Sequence, residues 1–386
     1  MRPVSILTVL PDAIRGGPST QHLNFIRALP EHRFTVHAVI PENHEVEADY
    51  IGAAASVHPL PMIPRVPRTL SPVKLGRFTS QTRDASRRIA AIGRQLDVRL
   101  VHVFNEILPA GTSAAKRIGV PSVVHILGMS IFEPVWVGTV WLRFLRRSAD
   151  HIVGCQDAIV DKLVAHGVPR SMTSIIYNSI DPEGLRRVAG ERTKPSLLPE
   201  GLIVGMVSGM DPRKGQLDFV RAAAIVRESD PSINFVMIGG FHEADPYFRQ
   251  VRDEIHRLEL LQHVHLTGSV ANAATWMRHM DIYCNTSLTE ALSVAVLEAM
   301  ALERPVVATD VGGNHISVAD GETGLLAREG DPGDLAKKIL RLAADPTMRN
   351  DMGRKGALRV NSLFSVEHNA ARLADVFTRL AKEAGS

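Results

Sequence analysis

Cysteine is scarce in this chain of 386 residues: Cys155 and Cys284 stand far apart, with neither a metal-ligand nor a redox spacing. That pattern fits a reducing cytosol. No apolar run approaches the ~20 residues that a bilayer-spanning helix needs. The opening "MRPVSILTVL" has a short apolar core and no cleavage-site pattern, so it reads as a first strand rather than a signal peptide. Neither half has a G-x-G-x-x-G after its first strand, which leaves a dinucleotide cofactor without support. D-x-D, the usual carboxylate pattern for a metal-bound diphosphate, does not occur, and there is no low-complexity tract or short repeat.

What is present is ordinary in bulk and uneven in detail. Apolar residues make up 45% and charged residues 22%, and the length suits two domains better than one core. Residues 1–190 hold 22 Lys+Arg against 15 Asp+Glu, while residues 191–386 hold 22 against 26. The excess of arginine lies at 65–99 and in "RFLRR" (143–147). Such a field attracts anions such as phosphates, a membrane surface or a nucleic acid; a solvated basic face is the alternative.

Short β-branched runs alternate with amphipathic stretches. "VSILTVL" (4–10), "FTVHAVI" (34–40), "LVHVF" (100–104), "SVVHI" (122–126), "HIVG" (151–154) and "TSIIY" (173–177) read as buried strands. The second half repeats the plan with "LIVGMV" (202–207), "NFVMIG" (234–239), "HVHLTG" (263–268), "DIYCN" (281–285) and "PVVAT" (305–309). Strand–helix alternation means parallel sheets covered by helices, so two doubly wound α/β domains are expected. The polar break "VAGERTKPSLLPEG" places them at 1–190 and 191–365, with a final amphipathic helix at 366–386.

Open parallel sheets bind ligands beyond the carboxyl ends of their strands. After the first strand comes "RGGPST", where Gly16 and Gly17 either precede a helix whose free N–H groups suit an anion or form a plain strand–helix turn. After the first strand of the second half comes "SGMDPRKGQLDF", in which Arg213 and Lys214 stand before another helix as a phosphate clamp or an incidentally charged turn. The most informative stretch is "EALSVAVLEAM" (290–300), almost wholly apolar except for Glu290 and Glu298. Buried carboxylates need partners. On one helix these two stand about 12 Å apart, at 1.5 Å rise per residue, comparable to the span of a nucleotide sugar from hexose to ribose. A carboxylate accepts two hydroxyl donors and so suits a vicinal diol, while N–H groups near residues 292–294 face the pyrophosphate. A helix cap at Glu290 and a salt bridge at Glu298 are the plainer alternatives.

With these residues in view, the chain resembles the retaining family 4 glycosyltransferases. "E-x7-E" running into "EAMALERPVVATDVGGNHISVADGETGLL" resembles that family's donor-site signature, and residues 12–29, "SVVHIL", "YNSID" and "DPRKGQ" resemble further segments in the same order. The resemblance implies a GT-B fold, with two Rossmann-like parallel-sheet domains facing a central cleft. The acceptor would lie mainly in the first and the nucleotide sugar in the second, with the last helix crossing back to the first. It implies that Glu290 binds hydroxyls of the donor sugar, Glu298 the ribose diol and Lys214 the diphosphate, with His125 beside the anomeric centre; a satisfied core residue is the other reading of His125. Gly17 would let the first loop close over the phosphates. Leu292, Ser293 and Val294 would line the pocket with their backbone. Gly209 stands where the family usually has an arginine, and Arg213 is the candidate to supply that charge; Ser179 and Ala291 replace glycines.

The expected activity is retaining transfer of a hexose-type sugar from a UDP- or GDP-sugar to a hydroxyl of a glycan, lipid-linked or small-molecule acceptor. The donor is a co-substrate; no cofactor, metal or nucleic acid is expected. A nucleotide-sugar epimerase or hydrolase of the same fold, or a silent sugar-nucleotide-binding partner, are the alternatives. "PVWVGTVWLRFLRRSAD" (134–150) sets Trp136, Trp141, Leu142 and Phe144 beside arginines, as an interfacial helix would. The expected location is therefore cytoplasmic, with peripheral contact at the inner face of the membrane; core tryptophans with cleft-lining arginines are the other reading.

Overall fold

The computed structural model describes residues 3–10, 17–42, 47–66, 72–105, 108–128, 135–190 and 193–384. They divide into two compact units, residues 1–179 with 366–386, and residues 180–365. Segment 180–190 thus lies with the second unit.

The first unit is built on seven strands: β1 (Val4–Val9), β2 (Phe34–Pro41), β3 (Ser56–Leu60), β4 (Leu100–Phe104), β5 (Ser122–Ile126), β6 (His151–Gly154) and β7 (Thr173–Ile175). Their order is β3-β2-β1-β4-β5-β6-β7, and every neighbouring pair is parallel. Residues on both faces of β1 and β4 are buried, which is why apolar residues occupy adjacent positions in these strands rather than strictly alternating, with Thr8 and His102 as buried polar members. The helix Val366–Glu383 belongs to this unit. Leu373, Ala374, Phe377 and Leu380 join Ile6, Leu10, Phe34 and Phe104 in one core, and Phe377 meets Phe34 edge-on at 6.1 Å.

The basic helix Val135–Ser148 has two sides. Trp141, Leu142 and Leu145 are buried, with Trp141 stacked on Phe144 at 4.7 Å, whereas Val140, Arg143, Arg146 and Arg147 are exposed. Trp141 is therefore a packing residue. The side chain of Trp136 lies outside the described residues.

The second unit holds β8 (Ile203–Val207), β9 (Asn234–Ile238), β10 (Val264–Leu266), β11 (Ile282–Asn285), β12 (Val306–Thr309) and β13 (Gly324–Ala327). All are parallel, in the order β10-β9-β8-β11-β12-β13. β13 is a sixth strand that the apolar pattern left unassigned, because "GLLA" is four residues long and begins with glycine. Asp-Pro pairs open several helical segments of this unit. Asp181, Asp211, Asp245, Asp331 and Asp345 each accept a backbone N–H two or three residues on, with proline in the first turn. The carboxylate satisfies an orphan donor and the proline pre-sets φ for the turn. The strand order reverses between β8 and β11, and such a reversal opens a crevice beyond their carboxyl ends.

Candidate active site

Two loops of the second unit meet at that reversal. The first leaves β8 and passes through a single 3₁₀ turn, Pro212–Lys214, into the helix Gln216–Ser229. Gly215 joins them at φ +67°, and a Cβ there would come within 2.0 Å of the Thr286 carbonyl oxygen, so only glycine fits. The second loop leaves β11 and runs into the helix Val294–Ala301. The loops are stitched together: Thr286 Oγ1 donates to the Lys214 carbonyl at 2.9 Å, and Leu288 N donates to the Arg213 carbonyl at 2.8 Å.

This stitching brings Lys214 and Glu290 together. Lys214 Nζ donates to Glu290 Oε2 at 2.7 Å, and Ser287 Oγ lies 3.2 Å from the same oxygen. The Glu290 side chain is 12% exposed and that of Lys214 32%, so the pair is partly shielded but open to a ligand. Glu290 is neither a helix residue nor a cap. The helix begins at Val294, so the spacing of Glu290 from Glu298 is not a helical rise, which corrects the geometry expected from sequence.

Arg213 is held differently. Its guanidinium donates to both oxygens of Asp211, at 2.6 Å for the shortest contact, and its side chain is 67% exposed. Asp211 thereby stays below the usual carboxylate range, and Arg213 still feels the field of Glu290. Gly209 has open space around it: a Cβ there would meet nothing within 4 Å.

The helix Val294–Ala301 presents an uncapped N-terminus. Ser293 makes no side-chain cap and its first turn holds no acidic residue, so the partial positive charge there is unanswered by the helix itself. Leu292 and Ser293 are buried just before it. Glu298, farther along, is half-buried with no hydrogen bond or ion pair among the described residues. Burial pushes its carboxyl up to about 7. The salt bridge that was the plainer alternative for Glu298 is absent among those residues. Tyr283 beside it, fully buried, is raised mainly by burial and then by Glu298.

A buried polar network, not singled out from the sequence, fixes the 285–293 loop. Asn285 Oδ1 accepts from Asn314 Nδ2 at 3.1 Å and from Ser287 N at 3.3 Å; Thr309 Oγ1 donates to the Ser287 carbonyl at 2.5 Å. Gly312 and Gly313 press directly on the loop. A Cβ on either would fall 1.7 Å from the carbonyl oxygen of Glu290 or Ala291, and Gly313 N donates to Glu290 O at 3.1 Å. The readable signal was the Gly-Gly pair.

In the first unit, His125 ends up opposite Phe104 in the β4–β5 ladder and is fully buried. Burial lowers its pKa to about 3, so the imidazole is neutral, and neither ring nitrogen has a hydrogen-bond partner among the described residues. Gly17 begins the helix Gly17–Ala28, whereas Gly16 lies outside the described residues. Among the described residues there is no cluster of three or more His, Cys, Asp or Glu able to hold a metal, and no helix long and apolar enough to cross a membrane.

Comparison with known proteins follows the same two-part division. A family model described as "Glycosyl transferases group 1" matches residues 201–345, and one described as "Glycosyl transferase 4-like domain" matches residues 16–179. The chain is 28% identical to a trehalose synthase of Pyrococcus horikoshii over 226 residues, covering 55% of this chain and 54% of that protein. It is 30% identical over 232 residues to a D-inositol 3-phosphate glycosyltransferase of Paenarthrobacter aurescens, covering 58% and 56%. These matches span about half the length of the curated relatives. The crystal structure of Anabaena HepE in complex with UDP superposes with a TM-score of 0.78 at 19% identity, covering 98% of this chain and 100% of that one. Sucrose-phosphate synthase from Thermosynechococcus elongatus gives 0.76, also at 19% identity, covering 99% and 100%. At such identity the likeness shows the fold, which is GT-B.

Proposed function

The chain belongs to the group 1 glycosyl transferases, and on that premise we propose that it transfers a hexose-type sugar from a nucleotide-sugar donor to an acceptor hydroxyl, with retention and without a metal. The observation that carries this reading is the Lys214–Glu290 pair, held at 2.7 Å beside the uncapped N-terminus of Val294–Ala301. The ammonium and the helix N–H groups supply fixed positive charge where a diphosphate would depart, and such preorganised charge acts most strongly as negative charge develops. Arg213 adds to the same field. Glu290 then accepts from donor-sugar hydroxyls. Glu298, which has no protein partner among the described residues, accepts from the ribose diol. The backbone of residues 292–294 lines the pocket between them.

In the reaction the bond from C1 to the diphosphate oxygen breaks as a bond from the acceptor oxygen to C1 forms on the same face. The acceptor's proton passes to the departing diphosphate. No side chain is assigned as a nucleophile, and His125, neutral, binds an oxygen of the sugar. The UDP and UDP-glucose present in the Anabaena HepE complexes make uridine diphosphate sugars the first donors to test, with GDP-sugars next. The basic outer side of Val135–Ser148 supports an acceptor at, or contact with, an anionic membrane surface on the cytoplasmic side.

The deciding experiment measures nucleotide release from a panel of UDP- and GDP-sugars with and without candidate glycan, lipid-linked and small-molecule acceptors, in buffer and in EDTA. Release that depends on acceptor and survives EDTA is the expected result. Release without acceptor would favour a hydrolase, and strict dependence on a divalent cation would overturn the metal-free clamp.

A further inference from the structure

The first unit buries a row of polar groups to which nothing above assigns a task. Thr8 on β1, His22 on the helix Gly17–Ala28, Tyr50 on the helix Glu47–Ile51, and His102 on β4 are all 3% exposed or less, as is His125. Three hydrogen bonds link the first four. Tyr50 Oη lies 2.8 Å from His22 Nδ1, His22 Nε2 lies 2.6 Å from Thr8 Oγ1, and Thr8 Oγ1 lies 3.3 Å from His102 Nδ1.

Proton bookkeeping gives this chain a direction. A buried polar hydrogen is costly to leave unpaired. The Tyr50 phenol, whose hydrogen bond among the described residues is to His22, therefore donates to Nδ1. His22 is neutral because burial holds it well below the ordinary imidazole range, so its single ring hydrogen sits on Nε2 and goes to Thr8. The threonine proton then goes to His102 Nδ1. His102, also kept neutral by burial, must carry its hydrogen on Nε2, and that atom has no partner among the described residues. The nearby acceptor candidates are the two unpartnered nitrogens of His125, whose ring centroid is 5.8 Å from that of His102. Phe25 and Phe104 pack against His125, with centroids at 5.6 and 4.8 Å.

We propose that Tyr50 is a positioning residue which, through His22, Thr8 and His102, fixes the tautomer of His125. The His102 Nε2–H reaches a bare nitrogen of His125 across one bridging water, the two ring centroids standing 5.8 Å apart with no direct bond between them, and leaves the other nitrogen of His125 as an N–H donor. His125 then serves the bound sugar by giving a hydrogen bond to oxygen, and does not take the acceptor's proton. This inference rests on the site role of His125 proposed above.

The test is long-range ¹H–¹⁵N correlation NMR of histidine-labelled full-length protein at neutral pH, assigned with His102→Gln and His125→Gln, and repeated on Tyr50→Phe and Thr8→Val. The expected wild-type spectrum shows His102 protonated on Nε2, and His125 with one protonated and one bare nitrogen. Loss of the phenol proton in Tyr50→Phe should convert both rings to averaged, mixed tautomers. Thr8→Val, cutting the chain one step later, should do the same. His102 protonated on Nδ1 in the wild type, or unchanged ring signals in both folded variants, would overturn the relay. The readout needs no turnover. If His125→Gln leaves donor consumption intact, the proposed function loses that residue while the tautomer result stands or falls on its own.

Discussion

Glu298 offers the most demanding test, because it links stability to pH through one carboxyl group. Burial raises that group from 4.5 to about 7 in the folded chain. At about 1.4 kcal/mol per pH unit, the displacement corresponds to about 3 kcal/mol between the two protonation states. The folded pKa lies above the unfolded one, so the native state binds the proton more tightly. The stabilisation is complete below pH 4.5 and is lost as pH climbs through 7. Glu298→Gln removes this titration. The variant also bears a pH-independent cost or gain from the amide, which cancels when the comparison is made across pH. The difference in stability, variant minus wild type, should therefore rise by about 3 kcal/mol between pH 4.5 and pH 8.5. Hydrogen exchange along Val294–Ala301 during urea titration reads the unit concerned. The same variant should bind nucleoside diphosphates more weakly at pH 8, having lost an anionic acceptor for the ribose. A stability difference that stays flat over that range would refute the reasoning, whatever happens to nucleotide affinity.

Other perturbations address the remaining parts. Glu290→Ala should lower turnover by a factor of about 10² or more while leaving the circular dichroism spectrum intact; wild-type rates would remove Glu290 from the site. Gly209→Arg meets no steric obstacle at Cβ and should tighten nucleoside diphosphate binding, as measured by calorimetry, by adding a cation to the loop after β8. Gly313→Ala should destabilise the second unit by about 1–3 kcal/mol and weaken nucleotide binding, since its methyl group meets the Ala291 carbonyl at 1.7 Å; urea unfolding and calorimetry check both. Arg143→Glu with Arg147→Glu should reduce co-sedimentation with anionic vesicles without altering nucleotide affinity, as both side chains face outward.

The strands were largely legible because a sheet covered on both faces writes itself as unbroken runs such as "LVHVF" and "LIVGMV". What escaped was short or weakly patterned. β3 carries a proline, His58 and partly exposed positions, and the arginine-rich helix Pro72–Gln95 has only a narrow apolar stripe. In the candidate site, the loops bearing Lys214 and Glu290 could be located from glycine and charge. Their direct pairing could not, since 76 residues separate them and the contact arises only when β8 and β11 become neighbours. The same holds for Asn285 with Asn314, and for the chain from Tyr50 to His102. Each is a polar contact made between elements that no local period relates.

The discontinuous first unit carries a consequence for how the molecule is made. Its core needs Leu373, Phe377 and Leu380, which are translated after every residue of the second unit. Synthesis runs from the amino terminus, so the first sheet waits with Phe34 and His102 lacking their contact with Phe377, while every residue of 180–365 has already been made. A ribosome stalled or stopped before residue 366 would release a well-made second half tethered to an adhesive first half. Loss of the helix Val366–Glu383 should accordingly show in cells as insolubility traceable to the first unit.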